Sequence, residues 1–238
     1  MRYLTLLYDD ETTMPEPGTP EFDLDLAGYA AFDAVARDSI VAGEALEPSS
    51  MARTVRHDGD QVRVTAGPFA ETTEVLGGWF VLEADTLDDA IELARQIPAV
   101  LTGGIELRPV VEWIDAAADA PDGAPRCWCT IHGPETSADD PDGAEWDAGA
   151  QEHARFGELA GSALRAAGAV HPTSSATTIR VRDGELLVSD GPYAEATEIV
   201  GGVYLLAGTP EQVEALAARI PVNPGGAVEI RPIMEIDG

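Results

Sequence analysis

The chain has 238 residues and carries 14 basic against 43 acidic side chains, a formal net charge of −29. This balance excludes a surface that binds nucleic acid or anionic membranes, because both need clustered cations. All of the basic residues are arginine, so a Schiff-base lysine, a pyridoxal-phosphate enzyme and a phosphate loop with its lysine are excluded as well. We expect no cofactor.

The chain opens on an apolar run, Tyr3 to Tyr8, that meets acidic residues at once. The run is too short for the apolar part of a signal peptide. No segment reaches the roughly 18 apolar residues of a membrane span. We therefore expect a soluble, cytoplasmic protein.

The sequence of the first half predicts five strands and two helices. The opening run predicts a strand, and a helix follows a polar loop. Two short strands around Asp58-Gly59 predict a hairpin whose turn tolerates positive φ. The continuous apolar run at 79–82 predicts a strand buried on both faces, followed by a second helix and a last strand at 105–110. The first helix is predicted from four apolar residues at helical spacing: Phe32, Val35, Ala36 and Ile40.

The second half repeats the first. Residues 67–78, Gly-Pro-Phe-Ala-Glu-Thr-Thr-Glu-Val-Leu-Gly-Gly, return at 191–202 as Gly-Pro-Tyr-Ala-Glu-Ala-Thr-Glu-Ile-Val-Gly-Gly. Matches of this kind span nearly all of each half, which indicates a tandem duplication. In the second copy, Thr209, Pro210 and Gln212 predict a capped helix start. The apolar positions of its first helix are Phe156, Leu159, Ala160, Ala163, Leu164 and Ala167.

The order β-α-β-β-β-α-β in each half predicts an α+β protein of two ferredoxin-like (split βαβ) domains, each with an added hairpin strand. The domains are predicted at 1–113 and 126–238, joined by an Ala-, Asp- and Pro-rich linker at 114–125. Helices cover one face of each sheet, so we expect the two antiparallel sheets to pack as an intramolecular dimeric α+β barrel. This internal pseudo-dimer leaves a further homodimer open.

Two cysteines flank Trp128 in a predicted strand. Cys127 and Cys129 point to the same face, without the geometry that a disulfide prefers. His132 lies nearby, but a fourth metal ligand is missing from the local pattern. We expect two apolar fillers and no metal site.

The repeated Gly-Pro motif and the Glu-x-Arg-Pro motif of each half resemble the YCII-related family, in the branch named for its Asp-Gly-Pro-Phe motif. The motif takes Phe or Tyr at its fourth position and stands at 190–198 as Asp-Gly-Pro-Tyr-Ala-Glu-Ala-Thr-Glu, with Gly201-Gly202 after it. Glu-x-Arg-Pro stands at 106–109 and 229–232. The resemblance implies ferredoxin-like units paired into an α+β barrel and a pocket near the Gly-Pro turn, where a His and an Asp are suspected of acid-base chemistry. The chain departs from the family pattern at Ala66, where the motif has Asp, and at Thr73 and Thr197, where Lys is common.

Asp190 and His153 are the candidate catalytic pair. Asp190 either caps backbone amides of its turn or serves a site, and Ala66 in the other copy favours the site. His153 lies early in a helix, where the first copy has Tyr29, so only the second copy holds both groups. A carboxylate that orients an imidazole makes a general base near neutral pH. The alternative is that His153 faces solvent.

Further candidates surround the second Gly-Pro turn. Tyr193, Glu195, Arg180 and His171 are predicted substrate-binding residues. The Glu71/Glu74 and Glu195/Glu198 pairs form either a solvated acidic face or contacts with loop amides, Arg56 and Arg180. Arg108 and Arg231 are predicted to form structural ion pairs with the glutamates two residues earlier.

Two functions remain open on these observations. One is a small-molecule enzyme of lyase or isomerase type, with His153 as base and Asp190 as its partner or as the acid. The other is a non-catalytic module that binds a metabolite or a protein, with an accessory role in transcription regulation among the family's proposals. Either function implies a small-molecule or protein partner and no nucleic acid.

Overall fold

The computed structural model describes residues 1–16, 18–58, 61–70, 72–115, 123–136, 140–193 and 199–235. The strands are β1 (Arg2–Asp10), β2 (Ile40–Ala45), β3 (Arg53–Asp58), β4 (Gln61–Ala66), β5 (Glu74–Glu83), β6 (Gly104–Asp115), β7 (Arg126–Gly133), β8 (Leu164–Val170), β9 (Thr177–Arg182), β10 (Glu185–Asp190), β11 (Ile199–Ala207) and β12 (Ala227–Pro232). The helices are α1 (Pro20–Ala36), α2 (Leu87–Ala94), α3 (Ala99–Thr102), α4 (Trp146–Ala160) and α5 (Pro210–Ala217). None of the described helices is long and apolar enough to cross a membrane.

Local sequence signals explain several of these boundaries. The predicted start of α5 is confirmed, because the Thr209 side chain accepts from the Gln212 amide and the Gln212 side chain accepts from the Thr209 amide. The β9–β10 hairpin also forms as predicted, and its turn residues Asp183 and Gly184 have φ values of 53° and 79°. Asp183 tolerates this conformation because short polar side chains are the least strained there after glycine.

One strand in each half is missing from the sequence prediction. Predicted helix runs on to Ile40 and Ala167, but α1 ends at Ala36 and α4 at Ala160, and strands β2 and β8 follow. Gly161, with φ 53°, ends α4. The alanines of both strands favour a helix locally. Pairing of β2 with β5 and of β8 with β11 outweighs this local propensity. Val35 and Leu159, predicted on the apolar faces, are 69% and 47% exposed.

The chain divides into two compact units, each discontinuous in sequence. Unit 1 contains residues 1–45, 72–109 and 174–195, and unit 2 contains residues 46–71, 110–173 and 196–238. The β3–β4 hairpin of the first half therefore belongs to unit 2, and the β9–β10 hairpin of the second half belongs to unit 1. The halves have exchanged their hairpins. Most of the predicted linker, 116–122, lies outside the described residues, while Ile114 and Asp115 belong to β6.

Both units contain the same antiparallel sheet. In unit 1 the strand order is β2-β5-β1-β6-β9-β10. In unit 2 it is β8-β11-β7-β12-β3-β4, with residues 110–115 of β6 paired beside β8. The first four strands in each order, with two helices, make a ferredoxin-like domain, and the exchanged hairpin extends the sheet at one edge. The protein is thus a duplicated α+β fold.

Each unit has its own apolar core between helices and sheet. Phe32 and Ala36 of α1 pack there in unit 1, and the corresponding Phe156 and Ala160 of α4 pack there in unit 2. The exchanged hairpins contribute Ile179 to unit 1 and Val55 to unit 2, both fully buried. Cys127 and Cys129 are buried in the unit 2 core and unbonded, as predicted for apolar fillers.

Candidate functional site

In unit 2, the Gly-Pro turn after β4 is fastened to strand β12. The Phe69 amide donates to Glu229 Oε2 at 2.8 Å, and Arg231 donates to the other oxygen of Glu229 at 2.9 Å. Arg56 donates to the Phe69 carbonyl at 3.0 Å. Glu229 and Arg231 are only 8% and 2% exposed. We call Arg56, Phe69, Glu229 and Arg231 the unit 2 clamp.

The Phe69 ring of this clamp also makes two face contacts. The Arg56 guanidinium carbon lies 4.7 Å from its centroid, and the His132 ring stacks on it at 4.6 Å with 10° between the planes. Burial lowers the pKa of His132; Arg56 and Arg231 lower it further, and Glu229 opposes them. His132 is therefore held as a neutral imidazole near neutral pH.

Unit 1 contains the equivalent clamp, formed by Arg180, Tyr193, Glu106 and Arg108. The Tyr193 amide donates to Glu106 Oε2 at 2.8 Å, and Arg108 donates to Glu106 Oε1 at 3.2 Å. The Arg180 guanidinium carbon lies 4.0 Å from the Tyr193 centroid. Tyr8 occupies the position of His132 and stacks on Tyr193 at 4.5 Å. The predicted ion pairs of Arg108 and Arg231 are confirmed.

Each clamp joins the two halves of the sequence. Its aromatic residue and one arginine come from an exchanged hairpin, and its glutamate and second arginine come from the last strand of the other half. Both carboxylate oxygens of each glutamate are engaged, one by a guanidinium and one by an amide. The two motifs that carry the family resemblance therefore serve to hold a hairpin.

Asp190 lies exposed at the end of β10 in unit 1. The next amide, of Gly191, donates to the Ala176 carbonyl, Pro192 has no N–H, and the Tyr193 amide donates to Glu106. In the other copy, the Gly67 amide donates to Ala52 in the same way. Within the described residues these turns leave no amide for a carboxylate to cap, which explains why Ala66 is compatible with the same turn.

His153 lies half-buried on α4 in unit 2, and its described partner is a tyrosine. Its Nδ1 is 2.7 Å from the Tyr204 hydroxyl of β11. Burial raises the pKa of Tyr204 above its ordinary value, so the phenol stays protonated. The first copy has Tyr29 and Phe80 at these positions, so the pair is particular to the second copy. Asp190 belongs to the other unit.

The remaining candidates are distributed between the units. Tyr193 and Arg180 lie in the unit 1 clamp, and His171 lies in unit 2 between β8 and a short 3-10 turn, Thr173–Ser175. Glu195 and Glu198 lie outside the described residues, as does Glu71. Glu74 is exposed at the start of β5. The clamp members Glu106 and Glu229 were identified from sequence only as ion-pair partners.

Unit 2 also contains an open groove of about 720 Å³. One side is α4, the other is the segment after α5, and His57 of the exchanged hairpin contributes to the lining. The volume falls within the range of small-molecule sites, about 300–1,000 Å³. The residues that line the groove are His57, Glu152, Arg155, Ala218, Arg219, Ile220, Pro221, Val222, Asn223, Pro224 and Gly225.

The corresponding region of unit 1 is closely packed. Gly28 stands where unit 2 has Glu152, and a Cβ at Gly28 would lie only 2.9 Å from Pro98 Cγ. Residues 99–102 form helix α3, whereas the matching segment of unit 2 is a loop. Arg182 donates to the carbonyls of residues 100–103 at the end of α3. Its counterpart in the sequence of the other hairpin is Asp58.

Sequence reasoning did not identify the groove, although alignment of the two halves contains its signal. Glu152 replaces Gly28, His57 replaces Val181, and Pro-Val-Asn-Pro replaces Pro-Ala-Val-Leu-Thr before a Gly-Gly pair. Each change puts a polar or helix-breaking residue where unit 1 packs tightly. Only the fold brings the three segments to one place.

The fold is a duplicated ferredoxin-like unit of the α+β class, and in each unit a clamp holds a Gly-Pro turn. The family model described as "YCII-related domain" matches residues 1–114 and again 130–237. The chain belongs to this family. It is also 33% identical over 117 residues to an uncharacterized protein of Rhizobium meliloti (strain 1021), a match that covers 92% of that protein and 46% of this chain. That relative is about one copy long.

Proposed function

We propose that this chain is a metabolite-binding protein whose ligand occupies the groove of unit 2. The observation that carries this proposal is that the groove differs between two otherwise matching copies. The clamps are the same in both units, whereas the groove depends on changes at Glu152, His57 and the segment after α5. The features that both units share are sufficient to maintain the fold. A cavity that only one unit has is not needed for the fold, so we infer that it serves ligand binding.

The engagement of the clamp residues supports a binding function over catalysis at the motif. Glu106 and Glu229 already use both oxygens in structural bonds. A general acid or base needs a free lone pair or a mobile proton near its substrate. The groove, in contrast, is lined by polar side chains that are open to a ligand.

The test is a ligand screen on the full chain. A set of small polar metabolites is screened by ligand-observed NMR, and each hit is measured against Glu152→Gly and His57→Val, which copy Gly28 and Val181 of unit 1. We expect both variants to weaken binding. The matched control is Glu158→Gly, an exposed glutamate on the same helix that is outside the groove lining. Hits that bind all four proteins equally would contradict the proposal.

A second candidate function is a lyase- or isomerase-type enzyme with His153 as its acid-base group. The hydrogen bond between His153 Nδ1 and the Tyr204 hydroxyl favours it, because such a bond fixes the orientation of an imidazole that exchanges protons. Asp190 remains its proposed partner or acid. Turnover of a groove ligand that is lost in His153→Gln and Tyr204→Phe, at unchanged affinity, would support this function. Unchanged turnover in His153→Gln would exclude it, and Asp190→Asn tests the partner in the same assay.

A further inference from the structure

We propose that the ligand of this groove carries an oxyanion, a carboxylate or a phosphate, held by Arg155 and Arg219. This inference rests on the proposed function and specifies its ligand class. Acids outnumber arginines threefold in the chain, yet not every arginine has a carboxylate partner. Ion pairs between described residues engage Arg2, Arg37, Arg53, Arg95, Arg108 and Arg231.

Arg155 and Arg219 differ from these six. Both line the groove, and neither has an ion pair within the described part of the chain. A guanidinium presents a planar fork of N–H donors that matches the two oxygens of a carboxylate or phosphate. Two such forks at one groove indicate an anionic ligand group.

His57 adds a third polar group to this side of the groove. Its Nε2 is buried and makes no hydrogen bond to any described residue. A buried polar atom without a partner costs free energy, so a ligand that bonds to it gains affinity. Among the described lining residues, Glu152 is the only acid. The local charge is therefore positive within a strongly acidic protein.

The acidic surface sets the expected salt dependence. At long range, the net charge of −29 repels an anion. Charges beyond about 8 Å are largely screened at physiological ionic strength, so salt removes most of this long-range repulsion. Binding should therefore hold or strengthen on going from low to physiological salt, unlike binding to an exposed basic patch.

The test is an NMR titration of the labelled full chain at fixed ionic strength. The probes are inorganic phosphate, succinate and succinamide, the last being a neutral analogue of succinate. We expect phosphate or succinate to shift the amide resonances of residues 218–225 and the Nε–Hε signals of both arginines, and succinamide to leave them unchanged. The stronger of the two anions distinguishes a phosphate ligand from a carboxylate ligand.

Variants assign the contacts. Arg155→Gln and Arg219→Gln should each weaken anion binding at least about tenfold. Arg63→Gln, an exposed arginine on β4 outside the groove lining, should leave it unchanged. Equal loss in all three variants would indicate a general charge effect and overturn the proposal. Groove shifts with succinamide but not with the anions would overturn the oxyanion class and leave the binding function standing. Silence with all three probes would also overturn the oxyanion class, while the metabolite screen decides separately on the groove.

Discussion

Units 1 and 2 share a clamp but differ beside their first helices. In both clamps a buried glutamate accepts from an amide of the Gly-Pro turn and from the arginine that follows the glutamate by two residues. The amide bond is 2.8 Å long in both units, and the arginine bond is 2.9 Å in unit 2 and 3.2 Å in unit 1. In unit 1, Gly28 of α1 packs tightly against Pro98. In unit 2, the groove lies between α4 and the segment after α5. The shared part therefore maintains the architecture, and the part that differs is where function should be sought.

The exchange of hairpins predicts that neither half folds alone. Residues 1–113 contain β3 and β4 but not the β9–β10 hairpin of unit 1. Expressed alone, this half should lack a folded monomer and order only by taking a hairpin from a second copy. Co-expression with residues 126–238 should restore a one-to-one complex. Size-exclusion chromatography with light scattering and circular dichroism would measure both, and a folded monomer of the isolated half would contradict the exchange.

Removing a clamp glutamate should produce the next largest effect. Glu229→Ala leaves Arg231 buried without its carboxylate and the Phe69 amide without its acceptor, at a cost of about 3–5 kcal/mol in unfolding free energy. Glu106→Ala should cost a similar amount, because the unit 1 clamp has the same geometry. Urea denaturation would measure both, with the exposed Glu112→Ala as control. A loss as small as the control's would mean that the clamp does not hold its hairpin.

Two glycines test the difference in helix packing. Gly28→Ala should destabilise the protein by about 1 kcal/mol, since its Cβ would meet the rigid Pro98 ring. Gly149→Ala on α4 should stabilise it by about 0.5–1 kcal/mol, because nothing lies within 4 Å and alanine favours a helix. Thermal melts compare the two variants. A gain in both would show that unit 1 has the same free space beside its helix as unit 2.

His132 should make unit 2 sensitive to acid. Its pKa in the folded state is lowered below the ordinary 6.5, so the unfolded state takes up a proton first as the pH falls. Stability is complete above about pH 6.5 and is lost as the pH falls toward the folded pKa. His132→Tyr copies Tyr8 of unit 1 and should remove this part of the acid destabilisation. Urea midpoints from about pH 7 to about pH 5 would test it, and parallel curves for both proteins would refute it.

Asp190 should have the smallest effect. Its turn offers no amide to cap among the described residues, so Asp190→Ala should change stability by less than about 0.5 kcal/mol. Asp190→Asn should do the same. A loss of about 1 kcal/mol in the alanine variant alone would restore a capping role, because asparagine can make the same local bonds.

The sequence predicted most of the elements but not how they combine. The duplication, both hairpins and the capped start of α5 could be identified, because each has a local signal. Strands β2 and β8 could not, since their alanines favour a helix in isolation. The hairpin exchange could not be predicted either. Both copies have the same hairpin and Glu-x-Arg motifs, so the sequence does not show which hairpin pairs with which last strand. For the site, His153 and Asp190 were chosen by type, whereas Tyr204 and the groove depend on tertiary contacts.

Hairpin exchange also has a consequence during synthesis. The Glu106 side chain has no Tyr193 amide to bind until the ribosome has added 87 more residues. At about 5–20 residues per second, that wait lasts roughly 4–17 s on the ribosome. Through this interval the nascent first half exposes a sheet edge and a buried-type ion pair, a condition that invites aggregation. The strong negative charge of the chain opposes such association, because chains of like charge repel each other. The acidic composition therefore suits a protein whose unit 1 is complete only after most of the chain has been translated.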